Sequence, residues 1–182
     1  MMIWMLFCQL AIGDSMQNVL LASDSNMSVE QREAAFAEMV QDGATEIQYL
    51  LDISVDTTQS TRVRWVAIRA LGEIRGPQAQ EVLMVTLRDP QPAIRTASVS
   101  ALGDLGDVKN VALVGRLLED DAVIVRVAAA EALGKLKDSK SIPLLERALK
   151  DPRNEYRGAS LWVRAHYVMA LGEIGDASAY PI

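Results

Sequence analysis

The chain has 182 residues, half of them hydrophobic but only 5% aromatic, and carries a formal net charge of −6. That balance argues against a nucleic-acid coat, because phosphate binding needs a concentrated basic face. One cysteine, Cys8, excludes an internal disulfide framework and a cysteine-built zinc site, and one histidine, His166, leaves no histidine cluster.

Residues 1–14 are an apolar N-terminal segment, nearly unbroken from Met1 to Ile12 and too short to span a bilayer as a helix. The length suits a signal-peptide core with cleavage near Leu20-Leu21-Ala22-Ser23, yet no Lys or Arg precedes it. The alternative is a helix that caps one end of the fold. Ala11-Ile12-Gly13-Asp14 resembles Ala101-Leu102-Gly103-Asp104, which favours the cap and with it a cytoplasmic protein; export follows if residues 1–22 are a signal. In either setting Cys8 reads as a small buried hydrophobe rather than a nucleophile.

From Ser15 the pattern is helical. Met16, Val19, Leu20 and Ala22 make a short apolar stripe, broken at Asp24-Ser25-Asn26. Ser28 caps a second helix, with Gln31 three residues on as its capping-box partner. That helix runs through Ala34, Ala35, Phe36, Met39 and Val40 to a stop near Asp42-Gly43. A third helix carries Ile47, Leu50, Leu51 and Ile53 and ends in the polar turn from Asp56 to Ser60.

Beyond Ser60 one phrase returns four times: Val63-Arg64 … Ala70-Leu71-Gly72, Ile94-Arg95 … Ala101-Leu102-Gly103, Val125-Arg126 … Ala132-Leu133-Gly134 and Val163-Arg164 … Ala170-Leu171-Gly172. Successive copies lie 31, 31 and 38 residues apart, so the last interval holds seven extra residues. Arg32 lies 32 residues before Arg64 and marks a degenerate first copy. Self-similarity at this period is the signature of a solenoid. Each unit pairs a first helix (Gln78–Leu87, Val108–Leu118, Ser141–Leu149) with a second (Thr61–Leu71, Ala93–Leu102, Ala122–Leu133) across an acidic turn. Pro77 and Pro143 sit near the starts of first helices, and Pro90 and Pro152 sit in turns. The glycine after each Ala-Leu is expected to end the second helix in a left-handed conformation. The insertion Arg153–Ala159 maps to a loop, with Arg153, Tyr156 and Arg157 as candidate contact residues. Ala179-Tyr180-Pro181-Ile182 aligns with Ser141-Ile142-Pro143-Leu144, so the last second helix is expected to present an uncovered edge on which a partner packs.

Val-Arg-x-x-Ala-x-x-Ala-Leu-Gly-x-Leu/Ile-Gly-Asp with an Asp-Pro turn resembles HEAT repeats, in particular the short type of phycobilisome-lyase HEAT-like proteins. The resemblance covers about residues 28–182. It implies an all-α, right-handed α-solenoid of four to five stacked two-helix repeats over residues 15–182. It also implies a structural ladder of turn aspartates and arginines six residues later, matched here by Asp89/Arg95 and Asp120/Arg126. The residues themselves agree: an aspartate at a helix start accepts backbone N–H groups, and an arginine one turn in reaches a neighbouring carboxylate. In the fourth unit the insertion separates Asp151 from Arg164.

Catalytic chemistry finds little support. Some HEAT-like enzymes bind iron through His-Glu pairs, and this sequence contains no His-Glu. Glu73, Asp104, Asp107, Glu173 and Asp176 read as turn residues, without the opposed environments an acid/base pair needs. No acid or nucleophile lies beside His166 in sequence, and no metal or cofactor is expected.

The better candidate is a surface. The family resemblance places the positions one, two and five after each arginine on the concave face: Trp65, Val66 and Arg69; Thr96, Ala97 and Ser100; Val127, Ala128 and Glu131; Ala165, His166 and Met169. An open groove of apolar side chains beside a few charges suits a peptide or helix of another protein. The reading is therefore a non-catalytic scaffold or adaptor, with a bilin lyase subunit or chromophore-handling factor as the rival that the family suggests.

Overall fold

The structure, a computed structural model, describes residues 16–41, 43–156, 159–160 and 162–175. The expectations for residues 1–14, Arg157 and residues 176–182 lie outside these. The chain divides into two compact units, Met1–Ala97 and Ser98–Ile182, with the division inside one helix.

In the first unit, residues 16–23 are helical (α1), and the chain then turns where the Asp24 carboxylate accepts the Asn26 N–H at 2.8 Å. The helix α2 (Val29–Gln41) opens with the expected capping box: Gln31 N–H donates to Ser28 Oγ at 3.2 Å, and Ser28 N–H to Gln31 Oε1 at 3.0 Å. Next come α3 (Gly43–Val55), α4 (Thr61–Ile74), α5 (Pro77–Thr86) and α6 (Pro92–Leu105). Ser60 caps α4 by accepting the Val63 N–H, and Pro77 opens α5 where its missing donor costs nothing. α3 lies against α4 and α5, and α2 against α3 and α4. Val19, Phe36, Met39, Leu50, Ala67 and Leu71 form the centre of this unit's core. Each large apolar side chain removed from water there contributes roughly 1.5–3 kcal/mol.

The second unit holds α7 (Val111–Arg116), α8 (Val123–Leu136), α9 (Ile142–Leu149) and α10 (Val163–Ile174). The first helices α7 and α9 are entered through 3₁₀ turns, Val108–Asn110 and Ser139–Ser141, begun by Asp107 and Asp138 side chains. α10 packs on α8 and α9, and α8 on α7. Val114, Leu133, Leu145 and Tyr167 are fully buried between them. The described residues are thus all-α, in consecutive two-helix repeats, apart from one ribbon. The insertion folds as a 3₁₀ turn, Pro152–Asn154, and two short antiparallel strands, β1 (Glu155–Tyr156) and β2 (Ala159–Ser160), with Glu155 opposite Ser160.

The glycines of the repeated phrase do something other than expected. Gly72, Gly103, Gly134 and Gly172 lie inside their helices, which run on to Ile74, Leu105, Leu136 and Ile174. The residue with positive φ comes three positions later, at Arg75, Gly106, Lys137 and Gly175. Glu73, Asp104 and Glu173 are therefore in last helical turns, not in loops. A glycine is required in the phrase by proximity. A Cβ on Gly103 would stand 2.8 Å from both Cα and Cβ of Ala132, and one on Gly134 3.2 Å from Ala170 Cα. Within the second unit, the glycine of one repeat therefore seats against the alanine of the next.

The ladder is also corrected in its pairing. Arg95 donates to the backbone carbonyls of Asp89 (2.8 Å) and Pro90, and Arg126 to those of Asp120 (2.8 Å) and Asp121. The arginine of a repeat thus grips its own turn by the main chain. The Asp89 carboxylate instead takes Arg64, the arginine of the preceding repeat, at 2.5 Å. In the second unit Arg126 Nε donates across to Asn154 Oδ1 at 2.9 Å, so an asparagine from the insertion fills the next rung. Asp89, Asp120 and Asp151 each accept the N–H two residues on, as turn aspartates should.

Candidate functional site

Two helix faces in the first unit enclose a pocket of about 380 Å³. Val29, Arg32, Glu33 and Phe36 of α2 supply one wall, and Arg62, Trp65, Val66 and Arg69 of α4 the other. Both sets have the spacing i, i+3, i+4, i+7 that puts four side chains on one side of a helix. Trp65 is 38% exposed, while Val66 is 3% exposed and belongs to the core. Arg69 crosses the pocket: its guanidinium meets both oxygens of Glu33 at 3.2 Å and lies 3.9 Å from the centre of the Phe36 ring. The same guanidinium holds the Glu33 carboxyl below the usual carboxylate range. Arg62 is exposed and has no ion pair among the described residues, and Arg32 Nε is buried without an acceptor among them. Three arginines against one glutamate make this a basic spot on an acidic chain.

Sequence reasoning anticipated the α4 wall through Trp65, Val66 and Arg69 and overlooked the α2 wall. The degenerate first repeat carries Val29, Arg32, Glu33 and Phe36 without the Ala-Leu-Gly phrase that drew attention to the later copies. Their spacing on one helix face was the available signal.

The other expected groove residues distribute differently. Thr96 and Ser100 are half-buried, and Ala97 is buried. In the second unit Val127 (7% exposed) and Ala128 (4%) are buried as well, so they drop out of any open lining. The position two after the arginine is thus packed inside in three of the four copies, at Val66, Ala97 and Ala128. Glu131 and His166 do come together: His166 Nδ1 lies 3.0 Å from Glu131 Oε1, and the His166 and Trp162 rings form a T-shaped pair 5.0 Å apart between centroids. An acid therefore stands beside the histidine in space although none does in sequence. Met169 is 60% exposed.

In the insertion, Tyr156 is on β1, and Arg153 is already engaged. It pairs with Asp151 at 2.5 Å and donates to the Glu119 carbonyl at 2.9 Å, beside a second cavity of about 410 Å³. Arg147 and Glu119, both on that cavity's lining, pair at 2.6 Å. Among the described residues no three His, Cys, Asp or Glu side chains converge to hold a metal, and no helix is long and apolar enough to cross a membrane.

Comparison with known proteins adds the family. A family model described as HEAT repeats matches residues 47–124, 109–163 and 124–182. No curated protein matches in sequence. Among solved structures, the complex of CpcE and CpcF of phycocyanin lyase from Nostoc sp. PCC7120 covers 87% of this chain and 98% of its own, with a TM-score of 0.69 at 20% identity. Human deoxyhypusine hydroxylase in complex with glycerol covers 94% of this chain and 88% of its own at 16% identity, with a TM-score of 0.37. The first is a likeness of fold.

Proposed function

The chain belongs to the HEAT-repeat family, and from that premise we propose that it is a non-catalytic protein-binding member whose Trp65 pocket takes a segment of another protein. The pocket carries the reading. Trp65 and Val29 offer an apolar seat, and Arg62 and Arg32 stand beside it with charge not cancelled by Glu33. A segment with an apolar side chain next to a carboxylate satisfies both. Binding by a preformed pocket between two packed helices needs no rearrangement of the repeats.

The test is a displayed peptide library panned on the full chain. The expected winners pair an acidic residue with a large apolar one. Trp65→Ala should weaken their binding by about 2 kcal/mol or more, the usual cost of truncating a central aromatic anchor, with helicity unchanged. Winners that bind the variant equally well would overturn the reading.

A second reading, a chromophore-handling subunit, takes its support from the fold likeness to the phycocyanin lyase complex. Mixing the protein with a linear tetrapyrrole, alone and with a lyase partner, should then shift the pigment's absorbance band. An unshifted band in both mixtures removes it.

A further inference from the structure

The outer face of α5 breaks a pattern that the later first helices keep. Val85 is 64% exposed, and Met84 beside it is 39% exposed. One and two repeats on, the position of Val85 holds Arg116 and Arg147, both exposed, and the position of Met84 holds Gly115 and Glu146. Two neighbouring apolar side chains therefore meet water where the same register elsewhere carries charge or no side chain. The packing of α5 does not use them: the helix buries Ala79, Leu83 and Thr86 and lies on α3 and α4.

Two charges of opposite sign frame the pair. Glu81 stands three positions before Met84 and Arg88 three positions after Val85, and both are exposed. Arg88 lies just past the helix end, but Leu87 keeps the right-handed helical conformation and the Arg88 N–H donates to the Val85 carbonyl at 3.1 Å, so the face continues through it. Glu81, Met84, Val85 and Arg88 thus follow the spacing i, i+3, i+4, i+7 and share one side of the helix. Neither Glu81 nor Arg88 has an ion pair among the described residues.

This face is its own complement. With a two-fold axis between Met84 and Val85, an antiparallel copy of α5 lays Glu81 opposite the copy's Arg88 and Arg88 opposite its Glu81, with four apolar side chains between. A parallel copy would instead set Glu81 on Glu81 and Arg88 on Arg88, two like-charge contacts.

We infer that the Glu81/Met84/Val85/Arg88 face of α5 joins two copies of this chain through an antiparallel α5–α5 contact. The apolar pair supplies the affinity and the charges the direction, because exposed ion pairs add little binding energy of their own. One helix of ten residues offers less than the roughly 1,600 Å² that stable complexes bury, so the dimer forms and dissolves with concentration. The face shares no residue with the Trp65 pocket, and the inference does not rest on the function proposed for that pocket.

Sedimentation equilibrium of the full chain over a wide range of concentration should show a monomer passing to a dimer. Val85→Arg installs the residue that α7 and α9 carry in this register, so it should leave circular dichroism unchanged while weakening the dimer by roughly tenfold or more. Glu81→Arg and Arg88→Glu set like charges opposite each other, and each alone should do the same. Mixed in equal amounts, these two variants should associate again, since each supplies the charge the other lacks. The double variant Glu81→Arg/Arg88→Glu should dimerise as the unaltered chain does, and Trp65→Ala should leave the dimer intact. A monomer at every concentration overturns the inference. So does a dimer indifferent to Val85→Arg, a dimer lost with Trp65→Ala, or a pair of charge variants that fail to rescue one another.

Discussion

Asp89 holds Arg64, the arginine of the repeat before it, at 2.5 Å, with only 3% of the arginine side chain and 6% of the aspartate exposed. Arg64 Nε also donates to the Ser54 carbonyl at 3.0 Å, and the second Asp89 oxygen accepts the Gln91 N–H at 2.8 Å. One carboxylate therefore ties two successive turns together and shapes its own. Removing it leaves a guanidinium buried without its counter-charge, a situation that costs about 3–5 kcal/mol. Asp89→Ala should lower the urea midpoint accordingly. Asp89→Asn keeps one acceptor oxygen, which can still take the Gln91 N–H, and should lose less than alanine. Equal losses for the two variants would show that the charge, which both remove, matters at this position and the turn bond, which asparagine keeps, does not.

Asn154 is the second such tie. It is 0% exposed, accepts from Arg126 Nε at 2.9 Å and donates to the Ala148 carbonyl at 2.9 Å. Truncation strands a donor on Arg126 and an acceptor on Ala148, and each unsatisfied buried group costs about 1–3 kcal/mol. Asn154→Ala is therefore expected to be among the more damaging changes in the insertion, while Arg153→Ala, on an exposed side chain, should be mild. Thermal unfolding of the two variants side by side checks the order.

These two residues mark where the sequence was readable and where it was not. The Arg–Ala-Leu-Gly register predicted each second helix from α4 to α10, because a buried face must recur with the repeat. The capping box at Ser28 was visible because its two partners are three residues apart. Contacts between repeats were not visible in the same way. Asp89 could be paired with Arg95 by spacing, but choosing Arg64 requires knowing how far one turn stacks over the next. Asn154 sat in a stretch taken for a free contact loop, since nothing local marks a buried asparagine. The glycine of the phrase was assigned to helix termination because glycine does both jobs, and only the 2.8 Å approach to Ala132 tells them apart. In the candidate site, Trp65 stood out by residue type, whereas the α2 wall lacked the repeated phrase.

Asp151 gives a pH-dependent signature. The Arg153 guanidinium, then the Arg153 backbone N–H, hold its carboxyl below the usual value of 3.8 against the opposing effect of burial. A depressed folded-state pKa contributes stability that is present above the unfolded value and is lost as pH falls through the folded one. Arg153→Ala should therefore raise the Asp151 pKa toward 3.8, followed by its carboxyl carbon shift in an NMR titration, and should reduce the loss of stability on acidification below that pH. An unmoved Asp151 titration would place the cause elsewhere in the turn.

The repeated glycine predicts opposite signs for one substitution. At Gly103 a methyl group would land 2.8 Å from Ala132 Cα, a backbone atom that cannot step aside, so the two helices must part. Overpacking of that kind costs about 1–3 kcal/mol, more than the roughly 0.5–1 kcal/mol that alanine gains over glycine inside a helix. Gly103→Ala should be destabilising. Gly172 follows the same Ala-Leu and has the same place in its helix but is exposed, so only the propensity gain remains. Gly172→Ala should raise the midpoint of unfolding. The pair compares one chemical change in one motif, and the sign should follow whether a helix lies against the glycine. If both variants lose stability alike, close approach is not what keeps glycine in the phrase.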